Sequence, residues 1–84
     1  MSIVDIIFEA NKHRPNQIVF NDEFGQMTYR EFETEVKRLS QKLKSEGLQA
    51  GMGVGVIDKN SRHFIINVFA VMYADAMAMP ISHQ

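Results

Sequence analysis

The chain has no cysteine, which excludes disulfides, thiol chemistry and cysteine-bound zinc and fits a reducing, cytoplasmic compartment. It has almost no net charge: nine Lys and Arg against ten Asp and Glu leave −1 at pH 7. A chain this close to neutral lacks the basic or acidic surface that attracts nucleic acid or an anionic membrane. No nucleic-acid partner is expected. The opening MSIVDIIFEANKHRP lacks the basic front and long apolar run of a secretion signal. No repeat, low-complexity tract or linker interrupts the 84 residues, so residues 1–84 are expected to form one small domain, or part of one. Apolar residues make up 45% and charged residues 23%, the balance of a globular protein.

A membrane span is also missing. The most apolar passage, FIINVFAVMYADAMAMPI from Phe64 to Ile81, carries a single charge. A spanning helix needs about 20 apolar residues, and Asp75 within it costs roughly 2.5–3.5 kcal/mol. Pro80 divides the passage further. A buried helix followed by a buried strand is the expected account, with no transmembrane segment.

What is present reads as an alternation of helices and strands. A first helix is expected over Ile3 to Lys12, with Ser2 and Asp5 at capping-box spacing. Ile3, Ile6, Ile7 and Ala10 share one face of it, and Pro15 closes the segment. QIVFND and QMTY then read as two short strands joined by a turn around Glu23 to Gly25. The next helix is the clearest element. Thr28 and Glu31 form a second capping box, and Tyr29, Phe32, Val36, Leu39 and Leu43 make one apolar stripe. Glu33 and Lys37 support each other at i,i+4 on the other face, and Gly47 falls where a helix ends by turning left-handed.

The run GMGVGV, Gly51 to Val56, tests a phosphate-loop reading. Such a loop follows a strand and opens a helix, so that backbone N–H groups face the anion. Here the glycines follow a helix and lead into VGVID, and no Lys-Ser or Lys-Thr comes after them. The plainer reading is preferred: Gly51 and Gly53 shape a tight turn, and Gly55 sits in a strand where a neighbour packs close. Asn60 or Ser61 then caps a third helix running to about Ala74. Phe64, Ile65, Ile66, Val68, Phe69, Val71 and Met72 surround that helix, which therefore asks for cover on several sides. AMAMPI follows as a strand, and strand–helix–strand in this order makes a right-handed parallel crossover. The expected fold is α/β: an N-terminal helix, a short β-hairpin, then helix–strand–helix–strand with a parallel crossover, a partial subdomain of a larger fold.

The residues from Gln17 to Ser82 resemble the opening of the adenylate-forming superfamily, which includes acyl-CoA synthetases, luciferases and peptide-synthetase adenylation domains. MTYREF at Met27 to Phe32 is similar to its first core motif. FAVMYADAMAMPIS is similar to its second, with Ala70, Ala74 and Pro80 in register. Leu39, Leu43, Gly47, Gly51, Val54, Gly55 and the Asn60-Ser61 pair sit at the family's spacings between them. Two positions depart. Gly-Asp is usual where Gly51-Met52 stands, and Gly is usual at Asp75, so an altered exit from the third helix is expected.

The resemblance implies an ATP-dependent acid–thiol ligase as the parent, which converts a carboxylate and ATP to an acyl-adenylate and pyrophosphate, then to a thioester. It implies ATP, Mg2+ and a CoA or carrier-protein thiol as the parent's cofactors. The family's Ser/Thr/Gly-rich phosphate loop with its Pro-Lys, its ribose-binding Thr-Gly-Asp and its catalytic lysine have no counterpart in these residues. The expectation is an N-terminal structural fragment, inactive alone, with no catalytic, cofactor-binding or metal-ligating residue. Its expected partner is the rest of the parent enzyme, or itself through exposed apolar helix and an unpaired sheet edge. YADAMAMPIS leans toward the acyl-CoA branch. A stand-alone binding or regulatory module of the same fold ranks second, and an unrelated α/β domain third.

Several residues invite a chemical role and are each weighed against a plainer one. His13, His63 and His83 are scattered without metal-ligand spacing, and a structural or solvent-facing place is preferred. Asp58 and Asp75 could pair as acid and base, but their separation around a crossover argues against it, and Asp58 better serves the turn before the third helix. Tyr29 lies on the apolar stripe and is assigned to the core, not to a stacked ligand. Met72, Met77 and Met79 are assigned to a buried helix–strand interface in preference to a lipid-binding surface.

Overall fold

The computed structural model describes residues 2–81. The elements follow the order α1 (Ile3–Asn11), β1 (Ile18–Asp22), β2 (Gly25–Thr28), α2 (Tyr29–Ser45), β3 (Gly53–Val56), α3 (Ser61–Tyr73) and β4 (Met77–Pro80). The fold is the expected mixture of helices and small sheets. β1 and β2 form an antiparallel hairpin, while β3 and β4 pair in parallel across α3.

Each helix begins where its cap residue sits. Asp5 N donates to Ser2 Oγ at 3.2 Å and Ser2 N donates to Asp5 Oδ2 at 2.8 Å. In α2, Glu31 N donates to Thr28 Oγ1 at 3.2 Å and Thr28 N donates to Glu31 Oε1 at 2.8 Å. These reciprocal bonds satisfy donors that a helix start leaves unpaired. For α3 the cap is Asn60, whose Oδ1 accepts from His63 N at 3.0 Å. Asp58 Oδ1 accepts from Asn60 N at 2.9 Å, the turn role expected of it.

The bonds from backbone N–H groups hold the Asp5 and Glu31 carboxyls below their ordinary values of 3.8 and 4.5. A carboxyl depressed in the folded state adds stability above its unfolded pKa and loses it as pH falls through the folded one. The unfolding midpoint is therefore expected to be flat above about pH 5 and to fall below about pH 4. Glu31→Gln, which removes the titrating carboxyl, should make that acid decline shallower. An equally steep decline in the variant would remove the cap from the account.

The exposed face of α1 differs from the expected one. Val4 and Phe8 are buried, whereas Ile3 and Ile6 are each 57% exposed. The reason is the size of the aromatic. Phe8 packs edge-on against Tyr29 and Phe32, with ring centroids 6.1 and 6.3 Å apart, and lies 5.9 Å from Tyr73. That seats Val4 one turn earlier against the same core and turns the isoleucine face outward. The stripe of α2 is as expected. Tyr29, Phe32 and Val36 are buried, and Leu39 and Leu43 pack against them with Ile66 and Ala70 of α3. Lys37 Nζ lies 2.9 Å from Glu33 Oε2.

A second cluster joins Val56, Val71 and Ala76, flanked by Val54, Phe64, Val68 and Ala78. Val54 and Val56 thus turn toward α3, and Gly53 and Gly55 face the other way. A Cβ on Gly55 would stand 2.7 Å from Ile81 Cδ1, the close approach expected at that position. Gly51, at φ +84°, makes the turn, but Gly53 has no positive φ and belongs to the strand. The strand β4 is not buried as expected: Met77 is 60% and Met79 51% exposed. One helix covers one face of this sheet, and no described element covers the other.

The exit from α3 also departs from expectation. Asp75 itself takes the left-handed conformation at φ +62°. Ala76 N donates to Val71 O at 3.2 Å and Asp75 N to Met72 O at 3.0 Å, so the usual Schellman turn forms with Asp in the glycine position. A non-glycine residue there costs roughly 1 kcal/mol. Asp75→Gly is expected to raise stability by about that amount, seen as a higher urea midpoint at unchanged slope. A lower midpoint would mean that the Asp75 side chain contributes something the geometry does not show.

Candidate functional site

The long apolar helix α3 carries one cation on its inward face. Arg62, Ile66 and Ala70 follow at i, i+4 and i+8, and all three are buried. Arg62 is only 7% exposed. Its Nη2 donates to Asp22 Oδ1 at 2.7 Å and its Nε to Asp22 Oδ2 at 3.1 Å. The same Nη2 also donates to the Gly25 carbonyl. The guanidinium lies 5.5 Å from the centroid of Phe20. Asp22 in turn accepts from Phe24 N at 2.9 Å, and Gly25 turns the hairpin at φ +97°. One side chain thus ties the tip of the hairpin to the first turn of α3.

Beside this brace lies an open cleft of about 440 Å³, edged by Phe24, Glu35, Arg38, Asp58, Arg62 and His63. Its charges are matched within the cleft or next to it. Arg38 Nε donates to both Glu35 oxygens at 3.2 Å and holds the Glu35 carboxyl below its usual value. His63 Nδ1 stands 4.0 Å from Asp58 Oδ2, and its ring stacks on Phe24. A bidentate Arg–carboxylate pair is the geometry with which an arginine would otherwise grip a phosphate. The Arg62–Asp22 pair holds the hairpin to α3, whereas Arg38 pairs with Glu35 within α2 and its side chain is 59% exposed.

The structure disperses the residues that tempted a chemical reading. His13 is exposed and accepts from Arg14 Nε at 3.3 Å, His63 sits at the cleft rim, and His83 lies outside the described residues. Among the described residues no three His, Cys, Asp or Glu side chains gather as a metal site. Asp58 precedes α3 and Asp75 follows it. About 20 Å of helix separates them, so they form no acid–base pair. Tyr29 is buried in the core, where its hydroxyl donates to Ile7 O at 3.2 Å and burial pushes its pKa up. Of the three methionines only Met72 packs on the core, while Met77 and Met79 lie on the open sheet face. Among the described residues no helix is long and apolar enough to cross a membrane.

Sequence reasoning misses Arg62, although a signal is present. An arginine on the buried stripe of an otherwise apolar helix requires a partner. Its partner, Asp22, is 40 residues away.

Comparison with known proteins places this geometry in a family. Residues 7–84 match the family model of the AMP-binding enzymes. The chain is 31% identical over 83 residues to tyrocidine synthase 2 of Brevibacillus parabrevis, covering 95% of this chain and 2% of that protein. Its fold matches the Klebsiella oxytoca NpsA N-terminal subdomain, in complex with anthranilyl-AMSN, at a TM-score of 0.88 and 24% identity. That match covers 95% of this chain and 21% of the other. A benzoate CoA ligase from Burkholderia xenovorans LB400 superposes at a TM-score of 0.91 with 17% identity, over 98% of this chain and 17% of the ligase. The chain therefore spans about a fifth or less of these relatives. It belongs to the AMP-binding enzyme family and resembles the N-terminal part of adenylate-forming ligases.

Proposed function

We propose that these residues are the N-terminal scaffold of an ATP-dependent ligase that joins an acid to a thiol. In the parent reaction a carboxylate oxygen attacks the α-phosphorus of ATP and releases pyrophosphate. The thiol sulfur then attacks the acyl carbon and releases AMP. The family match across residues 7–84 carries this reading. Such chemistry requires cations and backbone donors aimed at phosphoryl and acyl oxygens, and the arginines of the cleft here are bound to carboxylates of the same chain. ATP, Mg2+ and the thiol are assigned to the rest of the enzyme. The scaffold itself is assigned no catalytic, cofactor-binding or metal-ligating residue.

The chain's partner in this reading is the remainder of the ligase, packed on the open face of the β3–β4 sheet. A parallel sheet is ordinarily covered on both faces, and here Met77, Met79 and Ile81 stay exposed. The absence of cysteine supports a cytoplasmic protein, and the near-neutral charge supports one without a nucleic-acid partner. The test is to read the gene past the codon for Gln84. A frame that continues into a Ser/Thr/Gly-rich phosphate loop, a Thr-Gly-Asp and a C-terminal domain with its lysine supports the proposal. A stop codon directly after Gln84 removes ligase chemistry from this gene product.

A further inference from the structure

Carboxylates outnumber cations around the cleft beside the Arg62 brace. Arg62 is taken up by Asp22, and Arg38 by Glu35. Apart from the imidazole, Asp58 is then the one uncompensated charge on the rim. Its Oδ1 accepts from Asn60 N, which orients the carboxyl. Its Oδ2 stands 4.0 Å from His63 Nδ1, beyond hydrogen-bond reach, so the imidazole does not occupy that oxygen. Glu23, next to Phe24 in the chain, adds a second carboxylate at the hairpin tip. Phe24 itself is 58% exposed, although His63 stacks on it with ring centroids 6.0 Å apart. Asn67, half-buried and one turn beyond His63 on α3, brings an amide that can accept as well as donate. All of these groups come from residues 22–67, so the cleft owes nothing to either end of the sequence or to the open sheet face.

We propose that this cleft binds an arginine side chain of another polypeptide, with the guanidinium between Asp58 and the Phe24 ring. The inference stands on the cleft's own groups and not on the ligase reading. An aromatic face attracts a cation, and a carboxylate beside it selects one that donates hydrogen bonds. A guanidinium is planar, weakly hydrated and carries five N–H donors. It lies flat on Phe24 while one N–H serves Asp58 Oδ2 and another the Asn67 carbonyl. A lysine ammonium offers the same charge but no flat face to stack. The floor of Met27, Leu39 and Ile66 takes the apolar stem of the side chain. The surplus of carboxylates also sets the source. Free arginine brings its own carboxylate, which the like charges repel, whereas an arginine within a polypeptide brings none. Water reaches the open side of the cleft, so one side chain binds weakly and a stable complex needs further contacts outside it.

The experiment uses the protein expressed from its complete reading frame, with methionine and isoleucine methyl groups labelled for NMR. N-acetyl-arginine amide is titrated in, beside its uncharged isostere N-acetyl-citrulline amide and free arginine. The methyl signals of Met27 and Ile66 should shift with a Kd of about 1 mM, while those of Ile3 and Met77 stay in place. The citrulline probe should bind at least about tenfold more weakly, and free arginine at least about threefold. Asp58→Asn keeps an oxygen for Asn60 N and should weaken binding of the arginine probe at least about fivefold. Phe24→Ala should weaken it at least about twofold. Unmoved Met27 and Ile66 signals at about 20 mM probe overturn the proposal. So do equal affinity for the citrulline probe, free arginine binding as tightly as the amide, and an Asp58→Asn variant that binds as well as the wild type.

Discussion

Phe32→Ala is expected to cost about 3–5 kcal/mol, a large share of the chain's stability. Phe32 is the aromatic at which all parts of the larger core meet. Its ring centroid lies 5.2 Å from Phe69 of α3, 5.7 Å from Phe20 of β1, 6.3 Å from Phe8 of α1 and 6.4 Å from Tyr29. Truncating a buried phenylalanine costs about 3–5 kcal/mol, as lost transfer energy plus the cavity left behind. A chain of this size has a total of roughly 4–13 kcal/mol to lose. Phe32→Leu, which keeps most of the volume, should cost about 1–2 kcal/mol and remain folded. Circular dichroism through a urea titration separates the two variants. A folded Phe32→Ala with a midpoint near that of the wild type would show that the core does not converge on this ring.

Arg62→Met is expected to cost about 2–3 kcal/mol. The methionine keeps an apolar stem against Phe20 but removes every donor. The Asp22 carboxylate and the Gly25 carbonyl then lose the guanidinium that pairs them. Water reaches part of Asp22, whose side chain is 31% exposed, so the penalty falls below that of a fully buried pair. Asp22→Ala should also destabilise, because it removes the bond to Phe24 N as well. Combining the two should cost less than their sum by at least about 1 kcal/mol. Strict additivity would mean that the pair is a contact without consequence.

The local signals in the sequence translate directly into structure. Ser2 with Asp5, Thr28 with Glu31, and Asn60 each start a helix because a cap needs only a side chain and a backbone N–H three residues on. The stripe from Tyr29 to Leu43 and the break between Tyr73 and Met77 follow from periodicity and from a left-handed residue. The mistaken features depend on what lies across the fold. Both faces of α1 carry apolar residues, and only the aromatic cluster around Phe8 decides which turns inward. The strand AMAMPI has the composition of a buried parallel strand, but burial requires a second covering layer, and one face has none among the described residues. Asp75 shows that a family's usual glycine can be replaced while the turn is kept. The Arg62–Asp22 brace joins residues 40 apart, a separation no periodicity reports. The resemblance read from Met27 to Phe32 and from Ala70 to Pro80 agrees with the family match. Both stretches place core residues and turns.

We propose that these residues form part of an adenylating ligase without performing its chemistry. ATP–pyrophosphate exchange by the purified chain tests this most directly, with fatty acids, benzoate and amino acids offered as carboxylates. Exchange is expected to be no faster than in the same buffer without the chain. Exchange above that background with any acid, abolished when the carboxylate is omitted, would contradict it.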